Sequence, residues 1–296
     1  MKNTNALSLG DLFISQDKID PESLVIFSSP SDIGVQRNNG RNGARYAPKA
    51  IINVLKKFNK HKCTEKIQLR NVSKQENEQK DFQIAQMESA HLLLNDVSIN
   101  TSKRYIHIGG GHDHAYPLLH GINNSDKFDN ILILNIDAHC DTRVSNDSHS
   151  GTPFRDFDSI AGKPYHLIQY GLHRYANSAT TLSPLTKGSH ITYYYDEIFE
   201  SFDNIFSSCP FEINEKTALF FSLDADSIKG ETMKGVSAVN GQGLDIDHVH
   251  HMLHATLKYK KPTVFFGIYE YNPVYDDLSQ LGARSLSTLL YKFIED

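Results

Sequence analysis

The sequence predicts an α/β fold: a parallel sheet with helices on both faces. Three observations lead there. Short apolar runs recur along the whole chain, segments with helical character separate them, and several runs end abruptly in glycine or in acidic residues. Apolar runs of this length, bounded by polar residues, read as strands buried on both faces. Their alternation with helices argues for parallel pairing rather than hairpins.

In order along the chain, Leu24–Ser28 is strand-like and Ala47–Phe58 helix-like. The stretch Glu65–Asp81 is polar and reads as a surface excursion. A helix over Phe82–Leu94 leads to a strand at Arg104–Ile108, and a helix over Ala115–Gly121 leads to a strand at Ile131–Ile136. Strands follow at His166–Gln169 and Ile191–Tyr195, then a short helix at Asp196–Phe202. The strand Ala218–Leu223, the helix Asp245–Tyr259, the strand Val264–Tyr269 and a helix from about Leu278 to Ile294 complete the chain. No linker, composition break or internal repeat divides the 296 residues, so the expectation is one domain spanning 1–296.

Bulk properties narrow the function. Charged residues make up 22% and hydrophobic residues 39%, ordinary values for a soluble enzyme. The net charge of −5 and the lack of a basic patch argue against nucleic-acid binding. Cys63, Cys140 and Cys209 are odd in number and far apart, which fits a reducing cytoplasm rather than a disulfide framework. Met1 to Asp20 lacks an apolar signal core, and no apolar run reaches the length of a membrane span.

Chemistry concentrates at strand ends. Asp137-Ala138-His139-Cys140-Asp141 follows the run Ile131–Leu134, and Asp224-Ala225-Asp226 follows Ala218–Phe221. In extended chain the side chains alternate, so Asp137, His139 and Asp141 would share one face, as would Asp224 and Asp226. His112 of Gly109-Gly110-Gly111-His112-Asp113 completes a set of four aspartates and two histidines. Buried carboxylates in such numbers need cationic neutralisation. Two divalent ions would balance about four negative charges, and an oxygen-rich set without thiolate suits Mn²⁺ or Mg²⁺ rather than structural zinc. Such a pair can turn a shared water into hydroxide near neutral pH. All six candidates lie at or just after strand ends, where parallel sheets place their active sites.

The constellation resembles the ureohydrolase superfamily, the binuclear manganese hydrolases that include arginase, agmatinase and formimidoylglutamase. The resemblance covers most of the chain. Gly40-Arg41-Asn42-Gly43-Ala44-Arg45-Tyr46-Ala47-Pro48-Lys49-Ala50-Ile51 is similar to the Gly-Ala-x-x-Gly-Pro-x-Ala-Ile segment of those enzymes, with Ala47 where Gly is usual. Then come the Gly-Gly-Gly-His-Asp, Asp-Ala-His-x-Asp and Asp-x-Asp motifs, and Glu270-Tyr271-Asn272-Pro273 matches Glu-x-Asn-Pro. The resemblance implies an arginase-like three-layer αβα sandwich with roughly eight parallel strands, two Mn²⁺ per chain and a homo-oligomer. It gives Glu270 the role of gripping a cationic amidine or guanidine, and Asp141 that of carrying the proton of the attacking water.

The segment His149-Ser150-Gly151-Thr152-Pro153-Phe154-Arg155 selects a subfamily. Agmatinases and arginases keep a His directly before this Gly, whereas Ser150 and the Arg143 that follows Asp141 resemble formimidoylglutamases. The implied reaction is N-formimino-L-glutamate plus water to L-glutamate and formamide, in histidine degradation. Arg143, Ser150 and Arg155 are then candidates for the substrate's carboxylates, which guanidinium groups bind in a fork. Two alternatives compete: hydrolysis of agmatine or a guanidino acid by another member of the superfamily, and a metal-binding but inactive homologue. A single-zinc deacetylase of similar fold would need fewer aspartates.

One departure bears on the substrate. Lys229-Gly230 and Met233-Lys234-Gly235 stand where many relatives have Asp-Pro and Ala-Pro-Gly. The other singled-out residues read as structural. Cys140 is a small packed side chain pointing away from the metals, His248, His250, His251 and His254 form a helix face, His107 and His114 flank His112 without being ligands, and Tyr193–Tyr195 is core. His173 follows a strand and borders the site.

Overall fold

Nine strands form a single sheet in the computed structural model, which describes residues 7–15, 19–198 and 202–296. The chain begins with β1 (Phe13–Ile14), β2 (Leu24–Ser29), α1 (Ile33–Arg37), α2 (Ala47–Leu55), β3 (Ile67–Asn71), α3 (Gln75–Lys80) and α4 (Phe82–Ile99). It continues through β4 (Arg104–Gly109), α5 (Ala115–Asn124), β5 (Asn130–Ile136), α6 (Pro153–Ile160), β6 (Tyr165–Leu172) and β7 (Ser189–Tyr194). It ends with β8 (Thr217–Asp224), α7 (Ile246–Leu257), β9 (Thr263–Tyr269) and α8 (Leu281–Glu295). The sheet order is β1-β3-β2-β4-β9-β8-β5-β6-β7, and every pairing is parallel.

The strands are apolar on both faces because both faces are covered. Leu132, Leu134 and Ile136 of β5 enter one core, shared with Ile51 of α2, Leu253 of α7 and Leu289 of α8. Ile131 and Ile133 enter the other, shared with Leu93 of α4, Leu118 of α5 and Phe157 of α6. The period-2 alternation of a strand thus feeds two helical layers at once. Each fully buried Leu, Ile or Phe contributes roughly 1.5–3 kcal/mol. Local chemistry sets the helix starts. Pro48 occupies the first turn of α2, Pro153 opens α6, and Asp81 caps α4 by accepting the Ile84 amide at 3.1 Å.

The three-layer αβα sandwich and its parallel sheet agree with the sequence, with corrections at the margins. The stretch Glu65–Asp81 is not simply a surface excursion, since it contains β3 and α3. Beside the two-residue edge strand β1, β3 buries only Ile67 and Gln68, and Leu69 is exposed between polar neighbours, so no apolar run announces it. The expected helix at Asp196–Phe202 is a 3₁₀ turn at Tyr195–Glu197, and residues 199–201 lie outside the described residues. Among the described residues no helix is long and apolar enough to cross a membrane.

Candidate metal centre

The site is built from the carboxyl ends of β4, β9, β8 and β5, consecutive neighbours in the sheet. His112 follows β4 by way of Gly110, whose backbone packs so tightly on Ser31 that an added Cβ would lie 1.9 Å from the Ser31 carbonyl oxygen. Only glycine allows that approach. Glu270 follows β9, Asp224 ends β8, and Asp137, His139 and Asp141 follow β5.

These residues converge. His112 Nδ1 lies 2.9 Å from Asp141 Oδ2, 3.1 Å from Asp224 Oδ2 and 3.3 Å from Asp137 Oδ2. His139 Nδ1 lies 3.2 Å from Asp226 Oδ2 and 3.6 Å from Asp137 Oδ1. Two groups able to hold an ion result, His112–Asp137–Asp141–Asp224 and Asp137–His139–Asp226, joined through Asp137. Simple alternation does not produce them. β5 ends at Ile136, and the chain turns at Asp141, whose φ is 51°; β8 ends at Asp224, and a 3₁₀ turn brings the Asp226 amide 2.8 Å from Asp224 Oδ1. Glu270 also has positive φ, 62°. Strain of this kind concentrates where a side chain must be aimed.

A supporting layer orients His112. Its Nε2 lies 2.8 Å from Ser222 Oγ, which turns Nδ1 toward the carboxylates. Its ring stacks on Tyr269 with centroids 4.9 Å apart and meets the edge of Phe154. Its amide donates to Glu270 Oε1 at 3.0 Å.

The charges of the protein groups alone do not balance. Burial and the nearby aspartates push the Asp224 carboxyl well above the carboxylate range, and burial with Asp137 raises Asp141. Burial raises Glu270 to about 8. Burial opposes the proton on His112, yet hydrogen bonds to Asp137, Asp141 and Asp224 raise its pKa well above the ordinary value. Asp226 Oδ1 is buried without a hydrogen-bond partner. Converging carboxylate oxygens, one of them orphaned, around two imidazole nitrogens are the donor set of hard divalent cations, so the residues fit the two ions expected from the sequence.

Above the two groups lies a cleft of about 210 Å³. His139, Asp141, Asp224, Asp226 and Glu270 line it, and so do Arg143 and Ser150 from the loop after β5. Arg155 does not. Its guanidinium donates to the carbonyls of Thr142, Ser183 and Pro184 at 2.5–3.2 Å and braces the loop from behind. His149 is absent from the lining, and its Nδ1 accepts the Gly151 amide at 3.0 Å. His173 is buried beside Asn240, and Cys140 faces the Thr181 carbonyl. His114 points into a separate group with Glu78 and Asp113. Asn38, Asn39 and Gly40 form a wall of the cleft that the sequence did not mark as functional. No spacing signal points to them.

The profile of the Arginase family matches residues 22–294. Formimidoylglutamase of Hahella chejuensis is 30% identical over 266 residues, covering 86% of this chain and 80% of that protein. Formimidoylglutamase of Cupriavidus pinatubonensis is 27% identical over 286 residues, covering 92% and 86%. Among solved structures, Trypanosoma cruzi formiminoglutamase with Mn²⁺ superposes with a TM-score of 0.80 at 22% identity over 98% of each chain. Formimidoylglutamase of Bacillus subtilis gives 0.84 at 19% identity, covering 100% of this chain and 93% of that one.

Proposed function

This chain belongs to the arginase family, and we propose that it hydrolyses N-formimino-L-glutamate to L-glutamate and formamide, with two Mn²⁺ held by His112, Asp137, His139, Asp141, Asp224 and Asp226. The observation that carries the substrate is Arg143. It lines the same cleft as the carboxylates and has no ion pair among the described residues. A cleft with an acidic floor and an unneutralised guanidinium suits a molecule with an amidinium at one end and carboxylates at the other. Agmatine offers Arg143 nothing to bind.

When bound, the two ions lower the pKa of a water and polarise the amidine. Glu270 holds the amidinium N–H groups and orients the carbon for attack by water. Asp141 takes the proton of that water and delivers it to the glutamate nitrogen as the C–N bond breaks. Arg143 binds a carboxylate, with Ser150 beside it. The chain acts as a single-domain enzyme, cytoplasmic and homo-oligomeric; its three cysteines are free.

The test is turnover of N-formimino-L-glutamate and agmatine, side by side, by the Mn²⁺-loaded protein. Turnover of the first alone supports the reading. Turnover of agmatine alone overturns the substrate, and turnover of neither, with both ions bound, favours a non-catalytic homologue.

A further inference from the structure

The substrate side of the cleft hangs on one amide. Asn38 caps the C-terminal end of α1, with its backbone amide on the carbonyls of Gly34 and Val35. The chain then turns sharply, since Asn39 has φ 60° and the Gly40 amide returns to the Val35 carbonyl at 2.8 Å. Asn38 is therefore fixed at its backbone. Its side chain spends both ends on the cleft: Oδ1 accepts from Arg143 Nη1 at 2.9 Å, and Nδ2 donates to Ser150 Oγ at 3.1 Å. The backbones close the same ring, with the Ser150 amide on the Gly34 carbonyl and the Arg143 amide on the Gly151 carbonyl, each at 3.1 Å. Asn38, Arg143 and Ser150 all line the cleft.

The charge of the partner matters more than the contact. Several other guanidinium groups of this chain are met by carboxylates, Arg45 by Asp32, Arg70 by Asp96 and Arg104 by Glu65, while Arg155, outside the cleft, is held by main-chain carbonyls. Arg143 is met by a neutral amide, which accepts from one nitrogen and leaves the positive charge and the remaining N–H donors free. A carboxylate in that place would satisfy the guanidinium internally, and an anionic substrate would have to compete with it.

We infer that Asn38 is a specificity-determining positioning residue: it aims Arg143 and Ser150 at the carboxylate of the substrate while keeping Arg143 unneutralised. This rests on the functional reading above. Asn38→Asp keeps the size and shape of the side chain and changes its charge. With Mn²⁺-loaded protein, KM for N-formimino-L-glutamate should rise on the order of 10–100-fold with kcat changed less than about threefold, the range of a charge-assisted hydrogen bond. L-Glutamate binding, measured by calorimetry, should weaken by a similar factor. Turnover of formamidine, an amidine with no carboxylate, should be unchanged. Asn38→Ala, which loosens Arg143 without neutralising it, should raise KM less than Asn38→Asp. Adding Arg143→Ala to Asn38→Asp should cost little more.

An unchanged KM and unchanged L-glutamate binding in Asn38→Asp would overturn the inference alone. So would an equal loss with formamidine, which would mark a general distortion. A wild type that neither binds L-glutamate nor turns over the dicarboxylate would overturn the functional reading and this assignment with it.

Discussion

His112 and His114 stand two residues apart, and each reaches a group of buried carboxylates. Around His114, protein donors answer three of the four acid oxygens, while Asp113 Oδ1 and the ring Nδ1 of His114 have no partner. Both oxygens of Glu78 accept from serine hydroxyls, those of Ser31 and Ser73, and Asp113 Oδ2 accepts from Gln86 at 2.8 Å. His114 Nε2 sits 3.7 Å from each carboxylate. Although burial opposes it, Asp113 and Glu78 raise the His114 pKa, so an imidazolium there offsets one of the two acids. Around His112 four aspartates and Glu270 gather with two histidines, and Asp226 Oδ1, like Asp113 Oδ1, has no donor. The difference teaches that counting buried acids does not find a metal site. What sets the His112 region apart is an excess of acids over histidines, arranged as two groups joined through Asp137 beneath a cleft; an unpartnered oxygen and a neighbouring cavity also occur at Asp113.

Mutations can break this contrast, from large effects to small. Asp137 belongs to both ion-holding groups. Asp137→Asn should lower kcat on the order of 1,000-fold, about 4 kcal/mol, and reduce bound Mn²⁺ below two per chain, read by elemental analysis. Asp141→Asn should likewise abolish turnover and weaken one ion; full activity in that variant would refute the proton route. Glu270→Gln should keep both ions yet lower kcat/KM about 100-fold. Ser222→Ala, which frees His112 Nε2, should cost roughly 10–100-fold in metal affinity or activity. Glu78→Gln should leave metal content and activity nearly intact while lowering stability by about 1–3 kcal/mol in thermal unfolding.

Asp158 makes the same point without histidine. Tyr165, Thr186 and Lys187 give its carboxylate four donors. Burial works against the charge, but the Tyr165 hydroxyl and the two amides outweigh it and hold the pKa at about 2. A depressed folded-state value contributes stability above the unfolded value, near 3.9, and that stability is lost as pH falls through about 2. Asp158→Asn should therefore destabilise by about 1 kcal/mol at pH 7 and converge with wild type in melts between about pH 4 and pH 2, with unchanged metal content.

Much of this was legible in the sequence, for a physical reason. Strands buried on both faces are continuous apolar runs, and the residues that end them are those a parallel sheet presents at its active edge. The six ligand candidates follow from that; Glu270 was marked only by the resemblance of Glu270-Tyr271-Asn272-Pro273 to the family's Glu-x-Asn-Pro. Strand β3 was hidden because it is short and only Ile67 and Gln68 are buried, so apolar and polar residues mix along it with no continuous apolar run. The two-group arrangement was hidden because alternation holds only in extended chain, and Asp141 turns at positive φ. Arg155 looked like a substrate ligand by proximity to the motif; the start of α6 turns it toward main-chain carbonyls instead. Asn38 lies 105 residues from Arg143 and 112 from Ser150, and no local pattern encodes such a contact.

The most direct test of the central claim is anomalous diffraction at the manganese edge from crystals of the Mn²⁺-loaded protein. The account predicts two peaks, one within His112–Asp137–Asp141–Asp224 and one within Asp137–His139–Asp226, and none beside Glu78, Asp113 and His114. A single peak at the strand ends, or a peak in the His114 group, would contradict it.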